Sequence, residues 1–388
     1  MVPIKYNVRS LFVRKATTIA TAVGVGFAVW VFAASLMLSA GVKKTLGSSG
    51  SPDVAVVLRK GSDNELASGV EDTQISVIRA APGVAKGPDG EGLTVGEVIV
   101  VSAMEKIGAS GISNMQIRGV PADGMKFRPH AKIVQGRPAK PGTDEAVVGA
   151  RIAGRFKGVG LGEKFDIKKN RPVTIVGVFE DEGSSYESEV WADVDTVRTS
   201  FGRTGVSSVR ARLESPSKFD AFKASVESDK RLGMLVMREN EYYEKQSEGT
   251  SIFVGALGVL ISVFCALGAM IGAMNTMYAA IANRKREIGI LRALGFSRSS
   301  ILVSFVLEST FLSVVGGAIG VAGALAMGSV KFSMMNFASW SEIVFGFEPT
   351  PTIIGAAIVF AGAMGFIGGF LPAVRAAGTS PVTAMRGG

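Results

Sequence analysis

"NRKREIGILRALGFSRSS", residues 283–300, sets five Lys/Arg between two of the longest apolar runs in the chain. The run before it is Ile252 to Ala282, and the run after it is Ile301 to Val330. Each exceeds the roughly 20 apolar residues that cross a ~30 Å hydrocarbon core. A basic segment this short between two spans crosses nothing and has to lie along the membrane surface. Two further runs, Thr17 to Ala40 and Ile353 to Val374, reach the same length, and only the Ile301 run holds an internal charge, Glu308. The fold class that follows is an α+β multi-domain membrane protein. Four transmembrane helices, one N-terminal and three C-terminal, flank a large mixed α/β extracytoplasmic domain between the first and second.

Charge orients the chain. Of its 388 residues 47% are hydrophobic, and its net charge is +9. Residues 42–251 hold 30 Lys/Arg against 29 Asp/Glu, so the excess sits in the remaining 12 basic and 4 acidic residues. Lys5, Arg9, Arg14 and Lys15 precede the first run; Arg284, Lys285, Arg286, Arg292 and Arg298 join the second to the third; Arg375 and Arg386 follow the fourth. Lys/Arg in short loops mark the cytoplasmic side. Both termini and residues 283–300 are therefore expected inside, and the 42–251 insert outside. A nucleic-acid partner is not expected, because every basic cluster abuts a span. A cleaved signal peptide ending near Ala40 is the alternative for the first run, whose apolar length of about 24 residues exceeds a signal core.

Within the insert, short strand-like and helix-like pieces alternate. Strands are expected in "DVAVVLRK", "GEVIVVSAME", "MQIRGV", "AKIVQGR", "EAVVGA", "KFDIKKNRPVTIVGVFE", "SEVWADV" and "SSVRARLE", with a hairpin turn at Lys169 and Asn170. Helices are expected over Asp63–Ala80, Ala150–Phe156, Val194–Phe201 and Pro216–Ser228. About 200 residues suffice for an independent core. The second apolar run, about 46 Å long if helical, exceeds the bilayer, and "ENEYYEKQSEGT" continues it upstream. Small residues recur four apart at Gly268 and Gly272, Gly316 and Gly320, and Gly365 and Gly369, a spacing that lets helix backbones approach closely.

Chemistry is limited. No GxxxxGK[ST] phosphate cradle occurs, so ATP is not hydrolysed by that route. No HExxH or CxxC occurs, and one His with one Cys is too few for a usual zinc or cysteine site, so no metal and no catalytic residue is expected. His130 reads as a surface or turn residue. Glu308 is an ionisable group inside a span, which is a functional candidate by default. It lies near the inner end of its run, where Arg298 or water would satisfy it, so helix packing and proton or substrate coupling are its two readings. Asn275, Thr276 and Tyr278 read as interhelical hydrogen-bond partners.

In residues 283–300, Arg284 to Leu294 form about three helical turns, with Ile290, Leu291 and Leu294 on one side. Gly295 is the expected stop and Ser297 the cap of the next helix. Such a helix offers apolar knobs and charges either to lipid headgroups or to a protein.

"NRKREIGILRALGFSRSSILVSFVLESTFLSVVGGAIG" resembles the hallmark segment of FtsX-like ABC transporter permeases, the group that contains MacB and the LolC/LolE lipoprotein-release proteins. "GGFLPAVRAAGTSPVTAMR" resembles that group's C-terminal pattern and "NVRSLFVRKATTIATAVGVGFAV" its first span. "IRGVPADGMKFRPHAKIVQGRPAKPGTDEAVVGARIAGRF", "GEKFDI" and "VTIVGVFE" resemble the MacB-type periplasmic core domain. The resemblance implies that "REIGILRALG" is the coupling helix that docks into an ATPase, through Arg286, Glu287, Ile288, Ile290, Leu291, Arg292, Leu294 and Gly295. It places Glu308 at a recurrent family position, which favours the packing reading.

The implied organisation has residues 1–16 as an interfacial amphipathic helix and 17–41 as the first span. Residues 42–251 are the extracytoplasmic domain, 252–282 the second span and 283–300 the cytoplasmic coupling helix. The third span is 301–330, a short extracytoplasmic loop 331–352, the fourth span 353–374 and a cytoplasmic tail 375–388. No ATPase domain is fused in front, so the implied partner is a separate ABC ATPase that uses ATP and Mg, while this chain binds no cofactor. A homodimer or a heterodimer with a second permease is implied, in the bacterial inner membrane. A membrane-fusion protein and an outer-membrane duct are further expected partners. The expected work is export or extraction of an envelope substrate by mechanotransmission. The alternatives are an FtsX-like regulator that switches a cell-wall hydrolase, and a secondary carrier using Glu308.

Overall fold

The computed structural model describes residues 15–108 and 111–379. The interfacial helix expected over residues 1–16 falls, up to residue 14, outside them, as does the tail beyond residue 379. The described chain divides into two compact units. One comprises residues 15–40, 253–330 and 347–379; the other comprises 41–252 together with 331–346.

The first unit is helical. It is built from most of α1 (Lys15–Gly47) and of α5 (Glu239–Asn283), whose residues 41–47 and 239–252 belong to the other unit, and from α7 (Arg298–Ala326) and α8 (Pro351–Ala377), with the short α6 (Lys285–Ala293) between α5 and α7. The four long helices are long and apolar enough to cross a membrane. Local chemistry sets their ends. Ser297 Oγ accepts from Ser300 N at 3.1 Å to start α7, and Thr350 Oγ1 accepts from Ile353 N at 3.3 Å to start α8 with Pro351 in its first turn. Val25, Val29, Ala33, Ala266, Val321, Ala357 and Ala361 form much of the shared apolar core.

The second unit is a mixed sheet with helices. Its strands are β1 (Val54–Arg59), β2 (Thr94–Glu105), β3 (Ile112–Val120), β4 (Lys132–Gly136), β5 (Glu145–Gly149), β6 (Lys164–Lys168), β7 (Arg171–Glu180), β8 (Glu189–Asp193), β9 (Ser208–Arg212) and β10 (Met234–Arg238). They run in the order β10-β1-β9-β2-β3-β8-β5-β7-β4, with β6 paired to β7. β3–β8 and β5–β7 are parallel and the other pairs antiparallel. Helices α2 (Asp72–Arg79), α3 (Val194–Phe201) and α4 (Phe219–Ser228) give Ile78, Val197, Phe222 and Val226 to the main core. The hairpin at Lys169–Asn170 joins β6 to β7, with Asn170 at φ 62°.

Four local expectations change. Of Asp63–Ala80, only Asp72–Arg79 is helical, because Val70 is committed to a bridge with Val206. Ala150–Phe156 is a series of turns; Gly154 at φ 71° breaks any helix there. β10 (Met234–Arg238) is a strand for which the sequence raises no expectation. Residues 331–352 are not a loop throughout: β11 (Lys331–Met335) and β12 (Glu342–Gly346) form an antiparallel hairpin, and Val344 joins the core of the α/β unit.

Candidate functional site

Helix α5 ends at Asn283 and α6 begins at Lys285, so the chain turns at Arg284, whose φ of −110° and ψ of 9° leave the helical region. Arg284 Nη1 lies 3.3 Å from Glu308 Oε2 of α7, and its Nε lies 3.3 Å from Glu287 Oε2. The guanidinium sits 5.4 Å from the Phe305 ring centre. Both Arg284 and Glu308 are buried, where a carboxylate is tolerated only beside a cation. Among the described residues the ion pair of Glu308 is thus with Arg284 and not with the Arg298 expected from the sequence.

Helix α6 stops by a Schellman arrangement. Gly295 takes φ 94°, its N–H reaches Arg292 O at 3.2 Å, and Phe296 N reaches Leu291 O at 3.2 Å. The faces of α6 divide sharply. Ile288 is buried with Met277, Ile281, Ile301, Phe305 and Ala376, so it fixes the helix to its own unit and is not a surface group. Arg286, Glu287 and Gly295 are exposed, and Leu291 and Arg292 are half-buried. Arg292 Nη1 donates to Phe296 O at 3.1 Å. Ile290 is 45% exposed and Leu294 72%; four residues apart, they share one face and form an apolar knob.

The three glycine pairs behave differently. A Cβ on Gly316 would lie 2.6 Å from Ala22 O of α1, and one on Gly320 would lie 3.0 Å from Trp30 N. A Cβ on Gly365 would lie 2.6 Å from Ser313 Cβ, and one on Gly369 would meet Ser309, whose Oγ donates to Gly365 O at 2.8 Å. Gly268 and Gly272 of α5 have nothing within 4 Å of that position among the described residues. Asn275 is exposed; Thr276 makes the interhelical bond instead, to Thr21 at 3.0 Å.

A second constellation was not visible in the sequence. Ile99 of β2 stands opposite Arg118 of β3, Val95 opposite Arg210 of β9, and Arg118 opposite Trp191 of β8. Side chains alternate across a sheet, so Glu97, Arg118, Glu189 and Arg210 share one face, while Val98, Ile117, Val190 and Val209 line the core on the other. The charged face is buried all the same: Glu97, Arg118 and Arg210 are each 0% exposed. Arg118 Nε lies 2.6 Å from Glu189 Oε2 and its Nη1 2.8 Å from Glu97 Oε2. Arg210 Nη1 lies 2.5 Å from Glu97 Oε2 and 3.0 Å from Glu65 Oε1, and its Nε 2.8 Å from Glu239 Oε1. Arg128 pairs with Glu97 Oε1 at 2.7 Å and lies over the Tyr186 ring at 4.5 Å. Trp191 Nε1 donates to Glu189 Oε2 at 2.9 Å.

Burial pushes the Glu97 carboxyl up, and the guanidiniums of Arg128, Arg210 and Arg118 more than offset it, holding it far below the usual carboxylate range. Burial likewise opposes Glu65, and Arg210 and Arg118 bring it below its ordinary value. Burial pushes the Tyr243 hydroxyl up to about 12. A strand pattern of alternating polar and apolar residues normally reads as one wet and one dry face; the signal that this face is dry is absent from the pattern itself.

Two family models match successive parts of the chain. Residues 259–381 match the family described as FtsX-like permease C-terminal, and residues 16–229 match the MacB-like periplasmic core domain. The chain belongs to this group of FtsX-like, MacB-type ABC transporter permeases. It is 30% identical over 226 residues to the macrolide export ATP-binding/permease protein MacB of Brucella abortus, covering 55% of this chain and 33% of that one. It is 29% identical over 231 residues to the uncharacterized ABC transporter permease YknZ of Bacillus subtilis, covering 56% of this chain and 54% of that one. The chain thus spans about a third of the MacB relative and about half of YknZ. Among solved structures, the extracellular domain of the noncanonic ABC-type transporter YknZ aligns with 48% of this chain and 100% of that one, at 18% identity and a TM-score of 0.36.

Proposed function

We propose that this chain is the permease subunit of a mechanotransmission-type ABC transporter, in which a separate ATPase docks on α6. Closure of the ATPase on ATP and Mg displaces α6, and the displacement passes into the α/β domain for export or extraction of an envelope substrate. The observation that supports this best is the exposed Ile290–Leu294 knob on a helix held at both ends, by Arg284–Glu308 and by the Gly295 stop. Exposed apolar anchors beside oriented charges suit a protein groove, and Arg286 and Glu287 on the same short helix would set register. Basic residues around α6 and after α8 favour a cytoplasmic position for both, with the α/β domain outside the bacterial inner membrane.

A pair of ATPases requires two permease copies or one copy and a second permease. The open Gly268–Gly272 edge of α5 is the segment of this chain best suited to meeting one. A membrane-fusion protein and an outer-membrane duct are the partners this reading assigns to the α/β domain.

The test is purification of the full chain with its associated proteins from native membranes, followed by ATPase assay. Ile290→Asp with Leu294→Asp is expected to lower ATPase association at least about tenfold, the scale of losing a buried apolar anchor. Retention of a fully active ATPase by that variant would remove α6 as the docking element.

A further inference from the structure

Helix α5 meets the charged face of the sheet with its first two turns. Glu239, Tyr242, Tyr243 and Gln246 recur at the i, i+3, i+4, i+7 spacing of a single helix stripe, and all four are buried. A buried stripe is ordinarily apolar. This one is polar, and its hydroxyls and carboxylate are engaged. Tyr242 OH accepts from Glu65 N at 3.1 Å. Tyr243 OH accepts from Arg210 Nη2 at 3.1 Å and donates to Tyr186 OH at 3.0 Å, and Tyr186 OH donates to Glu239 Oε1 at 3.1 Å. Glu239 Oε2 also accepts from Ser51 N, at 3.2 Å, in the segment that follows α1. A Cβ on Gly50 would fall 2.5 Å from Asn240 N, so only glycine lets that segment pass against the start of α5.

We propose that the contact centred on Arg210 and Glu239 is a fixed joint, which makes the first turns of α5 and the sheet move as one body. An apolar contact is non-directional and can slide or rotate. A buried guanidinium shared among Glu97, Glu65 and Glu239 cannot, because displacing any one carboxylate leaves charge stranded away from water. Arg210 is the shared element, with Glu97 and Glu65 on the sheet side and Glu239 on the first turn of α5, all within the α/β unit. The proposal rests on the coupling reading above only for its purpose, as the output end of the helix that α6 follows. The joint itself is measurable without any ATPase.

The experiment is amide hydrogen exchange on the full chain in lipid nanodiscs, comparing wild type with Glu239→Gln. That variant keeps the side-chain shape and removes the charge. Amides in the first two turns of α5 are expected to exchange at least about tenfold faster, with β1 and β9 unchanged, since loss of a charge-assisted bond opens only the element it ties. Tyr186→Phe, which removes one hydroxyl and no charge, is expected to give a smaller acceleration at the same amides and carries the test if Glu239→Gln does not fold. Unchanged exchange at the start of α5 in both variants would overturn the joint. Equal acceleration in β1 and β9 would overturn it too, because the cluster would then stabilise the unit as a whole and not tie the helix to it.

Discussion

Glu308 draws its meaning from Arg284. Glu308→Ala removes the deeper of the two carboxylates paired with a buried guanidinium, a loss on the order of 1–3 kcal/mol, and is expected to loosen the turn between α5 and α6. The check is reduced ATPase association, together with partial rescue by the exchange Arg284→Glu with Glu308→Arg. A proton-coupled carrier would show the reverse: Glu308→Gln would remove the pH dependence of transport, and the exchange would rescue nothing. That Glu308 needed a partner was legible in the sequence, since a single charge stood in an apolar run. Which partner was not, because Arg284 and Arg298 are both basic residues at the same end of the run, and only the α5–α6 turn brings Arg284 to it.

Helix contacts follow the small residues, with consequences that differ among the three pairs. Gly320→Leu would drive a side chain into Gly26 and Trp30 of α1, and overpacking of this kind costs about 1–3 kcal/mol. A lower unfolding temperature in detergent is the expected readout. Gly268→Ala and Gly272→Ala are expected to leave that temperature unchanged, and to lower the fraction of dimer if α5 lies at the seam between copies. Four apolar helices were legible because about 20 apolar residues have one common use. The β11–β12 hairpin was not, because its sixteen or so residues look like any short connection until Glu342, held by Lys106 Nζ at 2.5 Å and Ser113 Oγ at 2.5 Å, shows where it binds. The charged sheet face escaped notice for a related reason. "VRAR" and "QIRGV" alternate as a strand with a wet side would, and burial of that side depends on elements remote in sequence, such as Tyr186 and Glu239.

The α/β unit carries a pH signature of its own. Glu97 and Glu65 both lie below their ordinary values in the folded state, so the unfolded chain binds protons first as pH falls. Their contribution is fully present above the unfolded carboxylate range, about 4.3, and is lost as pH drops from there through the folded values. Denaturation of the full chain followed by Trp fluorescence should therefore show stability that is flat near neutrality and falls below about pH 4.5. Glu97→Gln should be destabilised at neutral pH, with a shallower acid limb.

The proposed movement from α6 to the sheet is measured most directly by distance. In a Cys265→Ala background, spin labels at Asp220→Cys in the α/β unit and Val330→Cys after α7 report the separation of the two units in the complex with its ATPase. Trapping the complex with Mg-ATP and vanadate is expected to shift that distance in the wild-type background and to leave it unshifted when Ile290→Asp and Leu294→Asp are added. An unchanged distance in the trapped wild type, or a shift that persists with α6 disabled, would contradict the account.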